Sequence, residues 1–145
     1  MLSRAEAIAW RIFQDAGVET EWGAPADPHN PDPSLPVVQI FAARSKRPDL
    51  RDAFGVALTA KKESESFLAN VFFGNIEEAA TTRGDAAILL GHVMAHEVGH
   101  LLLGSEHVPG TIMAEGLGAR DIPLMQADRI RFDHRQAERL RVAIR

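Results

Sequence analysis

The stretch His96–His107, HEVGHLLLGSEH, sets two histidines four residues apart, a glutamate directly after the first, and a third histidine seven residues after the second. Residues four apart on an α-helix differ by about 40° around the axis and about 6 Å along it, so His96 and His100 converge on one ion if this segment is helical. Glu97, turned about 100° from His96, then stands beside the ion, outside its ligand set, where it can act on a bound water. Zinc brings the pKa of such a water toward about 7, and a carboxylate takes its proton as the hydroxide attacks a carbonyl. The plainer reading is an ordinary helix with two histidines and a glutamate hydrogen-bonded at its surface. Against it stands the apolar character of the whole run from Thr82 to Gly104, in which unpaired imidazoles and a carboxylate are costly to bury.

His107 is the harder residue. On a continuous helix it would return to nearly the face of His100 but about 10 Å further along, out of reach of an ion shared with His96. It joins the pair only if the chain turns back, and Gly104, free of a β-carbon, is the residue suited to that turn. His92 lies one turn before His96. It is about 12 Å along the axis from His100, so the two cannot both reach one ion, and a structural or supporting role is expected.

Outward from this helix, Thr82 and Asp85 offer a start and Gly104 a stop. The three histidines and the glutamate inside the run argue against a membrane span and for a buried helix. At the N-terminus, Ser3 and Glu6 form a capping-box pattern, and Ala5, Ile8, Ala9, Ile12, Phe13 and Ala16 recur at helical spacing up to Gly17. Val18–Trp22 reads as a short strand. The following GAPADPHNPDPSLP carries five of the eight prolines and reads as a loop. VVQIFAA (37–43) and FGVALTA (54–60) are β-prone. The charged KKESE turn leads to SFLANVFFGNI, read as a strand forming a hairpin with the one before it. A last helix is expected from about Pro123, with Ile130, Ala137, Leu140 and Ile144 as its apolar stripe. These elements make an α+β fold: a small twisted mixed sheet with an N-terminal helix, an active-site helix and a C-terminal helix.

The 145 residues, 15.9 kDa, suit a single domain spanning 1–145 with one active centre. A formal charge of −4 and a pI near 5.8 argue against nucleic acid or an anionic membrane as partner. With no cysteine, any metal must be held by nitrogen and oxygen. MLSRAEAIAWRIF does not read as a signal peptide, so the chain as written is expected in the cytoplasm, or secreted if its natural precursor is longer. It is expected to be a monomer.

The residues HExxH, LLLG and HVPGTIM (107–113) resemble the metzincin branch of zinc peptidases, whose usual pattern is HExxHxxGxxH followed by a methionine turn. His96, Glu97, His100, Gly104 and His107 match by type with one extra residue before the glycine, which leaves Leu103 in the usual glycine place and Glu106 in the usual third-ligand place. The longer spacing is similar to that of compact bacterial metzincin-like proteins. The resemblance implies a zincin-type fold, one catalytic Zn2+ on His96, His100 and His107, Glu97 as general base, and Met113 as an apolar floor under the metal. It implies a peptide or protein substrate extended along an edge strand, for which residues 67–73 are the candidate. The chain has no tyrosine, so it lacks the tyrosine that assists the metal in some metzincins. Two other readings stay open: a zinc-stabilised binding module without turnover, and a peptidase similar to those that cleave phage-type repressors, in which Glu106, Glu115 or Asp121 would replace His107 as third ligand.

Overall fold

The computed structural model describes residues 1–58 and 68–145, so the KKESE turn and Phe67 lie outside the described residues. Helix α1 (Leu2–Asp15) buries Ala5, Ala9, Ile12 and Phe13, the face expected from its periodicity. Its start differs. Met1 is the N-cap and no side chain caps the helix, so Ser3 already lies in the first turn and the Ser3–Glu6 box does not form. Packing of the apolar face, more than capping, holds such a helix in place. Gly17 ends it at φ +77°.

Val18–Trp22 is not a strand. The Val18 amide instead bonds back to the Phe13 carbonyl, and Val18 and Trp22 serve as packing groups against the core. Strands β1 (Val37–Phe41), β2 (Gly55–Leu58) and β3 (Leu68–Phe72) form a mixed sheet in the order β1-β3-β2. β3 runs parallel to β1 and antiparallel to β2, as the expected hairpin requires. Its place corrects the expectation that residues 67–73 form an edge. β3 is the central strand, with Ala69 and Val71 fully buried, and the edges are β1 and β2.

The strand also ends earlier than FFGNI suggested, because Phe73–Ala79 is a helix, α2. A β-carbon at Gly74 would lie 2.6 Å from the Arg44 amide nitrogen, so α2 sits against the 42–44 backbone in a space only glycine fits. Asn75, 5 % exposed, completes the joint: its Nδ2 donates to the carbonyls of Arg51 and Ala53, and its Oδ1 accepts from Arg44 Nε.

Helix α3 (Arg83–Leu103) is the element around which the rest is built. Thr82 caps it by accepting from the Asp85 amide, as the sequence indicated. It is long and apolar enough to cross a membrane by length and composition, yet 78 % of its most apolar window is buried inside the protein. α1 crosses it closely at Gly91, where a β-carbon would come within 2.8 Å of the Ala5 carbonyl and the Ile8 side chain. β2 and β3 pack on it from another side.

The expected single C-terminal helix is two: α4 (Ile122–Gln126) and α5 (His134–Ala143). Between them Asp128 takes a positive φ of 54°, and Asp133 restarts the helix through a capping box with Gln136. Ala137 and Leu140 of α5 are buried, but Ile144 lies past its end and is 49 % exposed. The described fold is thus α+β, a three-stranded mixed sheet with five α-helices.

Candidate metal centre

His96 and His100 lie on consecutive turns of α3, and their Nε2 atoms are 3.0 Å apart. The other ring nitrogens explain why that spacing calls for a cation. His96 Nδ1 is 2.6 Å from the Ile112 carbonyl oxygen and His100 Nδ1 is 2.8 Å from the Gly104 carbonyl oxygen. A carbonyl only accepts, so each Nδ1 carries the proton and donates, and in a neutral ring each Nε2 is left with a lone pair. Burial holds both rings neutral: the pKa of His96 falls to about 4, and that of His100 is also lowered, in each case chiefly by desolvation. Two lone pairs at this distance repel unless a cation lies between them. Nitrogens of a tetrahedral zinc site stand about 3.3 Å apart, given bonds of about 2.0–2.1 Å.

His107 completes the group. One ligand atom from each of His96, His100 and His107 lies within 4.8 Å of the others, and this is the only such group among the described residues. The turn that brings His107 back lies where the spacing required it. Gly104 ends α3 at φ 98°, ψ −172°, a conformation essentially restricted to glycine. The corner is more extended than a left-handed helical cap. From there the Gly104 carbonyl points to His100, so the residue that breaks the helix also orients that imidazole. Arg139 of α5 steadies this corner, donating to the Leu103 carbonyl at 2.7 Å and pairing with Glu106 at 3.6 Å.

The rival third ligands are elsewhere. Glu106 faces Arg139 and solvent, and Asp121 accepts from the Gly118 amide in a local turn. Glu115 is exposed and outside the histidine group. His92, 3 % exposed, is also outside it and donates from Nδ1 to the Ile88 carbonyl.

Met113 is buried, with 1 % exposure. A β-carbon on Gly99, the residue before His100, would sit 2.5 Å from the Met113 sulfur, so the thioether packs directly on the backbone of α3. The turn carrying it is tied at several points. Thr111 Oγ1 donates to the Val108 carbonyl and accepts from the Met113 amide and from Gln136 Nε2. The Val108 amide bonds the Met113 carbonyl, and the Ile112 amide bonds the Arg131 carbonyl. Ile112, whose carbonyl holds His96, is thereby fixed from both sides.

Glu97 is 5 % exposed, and burial raises its pKa to about 7. Its side chain lies against β2: a β-carbon on Gly55 would come within 2.8 Å of both Cγ and Oε1 of Glu97. The Phe72 amide bonds the Phe54 carbonyl, and the register alternates from there, so Gly55 and Ala57 turn their backbone polar groups away from β3. The Ala57 amide faces the Glu97 carboxylate and partly offsets the effect of burial. A cleft of about 500 Å³ runs between β2, the histidines and the 114–118 segment.

Sequence reasoning therefore named the three histidines, Glu97, Gly104 and Met113, and missed Gly55 and the role of β2. The near-continuous apolar run LANVFF was the available signal, since strands covered on both faces read that way. No protein-family model, curated protein or solved structure matches the chain.

Proposed function

We propose that this chain is a zinc-dependent peptidase of the metzincin-like kind, with His96, His100 and His107 as ligands and Glu97 as general base. The observation that carries this reading is the opposed pair of Nε2 atoms on His96 and His100, each ring locked by a carbonyl on its far side, with a buried carboxylate one residue away. Zinc, when bound, would acidify a water and polarise the scissile carbonyl. Glu97 takes the proton released in the attack and passes it to the departing amine; a pKa near neutrality suits a group that must do both. Met113 and Ile112 keep the histidine pair in register from below.

The substrate strand is reassigned with the fold. An extended peptide adds to a free strand edge through backbone hydrogen bonds. β2, not residues 67–73, offers such an edge beside Glu97. The ion pair between Glu106 and Arg139 weighs against an acidic third ligand, and the presence of Glu97 weighs against a purely structural site.

The test is a metal-free sample assayed against a broad peptide library before and after zinc is restored. Cleavage that appears with zinc and is lost in Glu97→Gln supports the reading. An inactive zinc-loaded wild type refutes it. Zinc affinity that collapses in Glu106→Ala and survives in His107→Ala would replace the third ligand.

A further inference from the structure

A second cavity, of about 260 Å³, lies between α1, α3 and the segment around α4, and shares no lining residue with the histidine cleft. Its floor is buried and apolar, formed by Ile12, Ile88, Met125 and Ile130, except for His92. The Nδ1 proton of His92 is committed to the Ile88 carbonyl at 2.8 Å, and desolvation lowers the ring's pKa, so the neutral ring presents a lone pair at Nε2. That atom has no hydrogen-bond partner among the described residues. It is also not sealed from solvent, a state that among the described residues' unpartnered side-chain polar atoms belongs to Asn70 Oδ1. Nε2 therefore opens onto the cavity that His92 lines.

The mouth is charged. Arg4, Arg11 and Arg131 stand around it with Asp15 and Asp128. Arg11 pairs with Asp128 at 3.5 Å, and Arg131 donates to the Asp128 backbone carbonyl. Arg4 makes no ion pair among the described residues. An apolar chamber with one acceptor at its floor, and three arginines against two aspartates around its mouth, fits a molecule with a donor at one end, an apolar body, and an anion at the other. The volume, a little below that of drug-sized pockets, limits the body to about one ring.

We propose that this cavity binds a small hydroxylated carboxylic acid, its hydroxyl donating to His92 Nε2 and its carboxylate meeting Arg4 and Arg131. The site is independent of the metal centre and stands or falls without the peptidase reading.

The test uses the full chain, zinc-loaded and metal-free, titrated by ligand-observed NMR with 4-hydroxyphenylacetate, phenylacetate and 4-hydroxyphenylacetamide. The hydroxy acid is expected to saturate. Each analogue, lacking one hydrogen-bonding or charged group, is expected to bind at least about fivefold more weakly. His92→Phe should bring the hydroxy acid down to the level of phenylacetate, and Arg4→Ala should bring it toward the amide. Three equal affinities, no saturation at millimolar concentration, or binding that disappears when the metal is removed would overturn the proposal. The probe comparison on wild type decides the matter even if His92→Phe does not fold.

Discussion

Glu97 owes its properties to two neighbours that a linear motif does not show. The hydrophobic surroundings raise its pKa to about 7, and Gly55 leaves room for its side chain against β2. A cation bound beside it would favour the ionised form. Near pH 7 Glu97 in the metal-free protein keeps part of its protonated form, while burial holds His96 and His100 neutral. Zinc binding at pH 7 should therefore release protons, in part from Glu97, measurable by calorimetry in buffers of different ionisation enthalpy. Glu97→Gln should lessen that release, leaving what the zinc-bound water gives up; a release unchanged in this variant would mean that Glu97 supplies none of it. Gly55→Ala, by pushing the carboxylate away from β2, should lower kcat by about tenfold or more while zinc affinity stays within about twofold. An unaltered kcat would show that the edge strand does not position the base.

At the scale of elements, the end of α3 and the turn carrying Met113 decide whether three histidines become one site. The Gly104 conformation costs a residue with a β-carbon about 1–3 kcal/mol, and no atom near that position would clash with one, so the penalty of Gly104→Ala is in the backbone alone. Moving the corner relieves the strain and takes His107 with it. Zinc binding should weaken by about tenfold or more, read by competition with a chelator. Thr111→Val tests the other joint. It removes a hydroxyl with three partners and should lower stability in denaturant by about 1–3 kcal/mol, with weaker zinc binding as the Ile112 carbonyl loosens from His96. The role of α5 follows from the same contacts: Gln136 supports Thr111 and Arg139 supports the Leu103 carbonyl, so a short surface helix holds both turns of the site.

For the whole molecule, the buried titratable groups set an acid limit. His92, His96 and His100 have pKa values below 6.5 in the folded state, so the unfolded chain binds protons that the native one does not, and stability falls as pH drops below about 6.5. Glu97 acts in the opposite sense, its contribution being present at low pH and lost as pH rises toward 7. Between pH 4.5 and 6.5 Glu97 and His96 pull in opposite directions, and His92 and His100 act in the sense of His96. Metal-free Glu97→Gln protein, freed of the opposing group, should thus unfold at lower denaturant as pH falls from 6.5 to about 4.5; a midpoint that rises over this range would contradict the burial of these rings. Zinc at about a hundredfold excess over its Kd should add about 2.7 kcal/mol and raise the thermal midpoint by several degrees.

Spacing along one helix needs no tertiary information, because backbone hydrogen bonds place His96 and His100 together wherever the helix lies, and Gly104 marks a stop that few other residues could form. The sequence therefore determined the histidine pair, the glutamate beside it, the break that returns His107 and the apolar face of α1. The order of strands, the helix α2, the split between α4 and α5 and the opposition of Glu97 to Gly55 were decided only by the tertiary structure. Each depends on which surfaces far apart in sequence bury one another: β3 becomes central because both of its neighbours need a partner, and α2 forms because Asn75 satisfies the carbonyls of a distant loop. Local periodicity carries no record of such pairings.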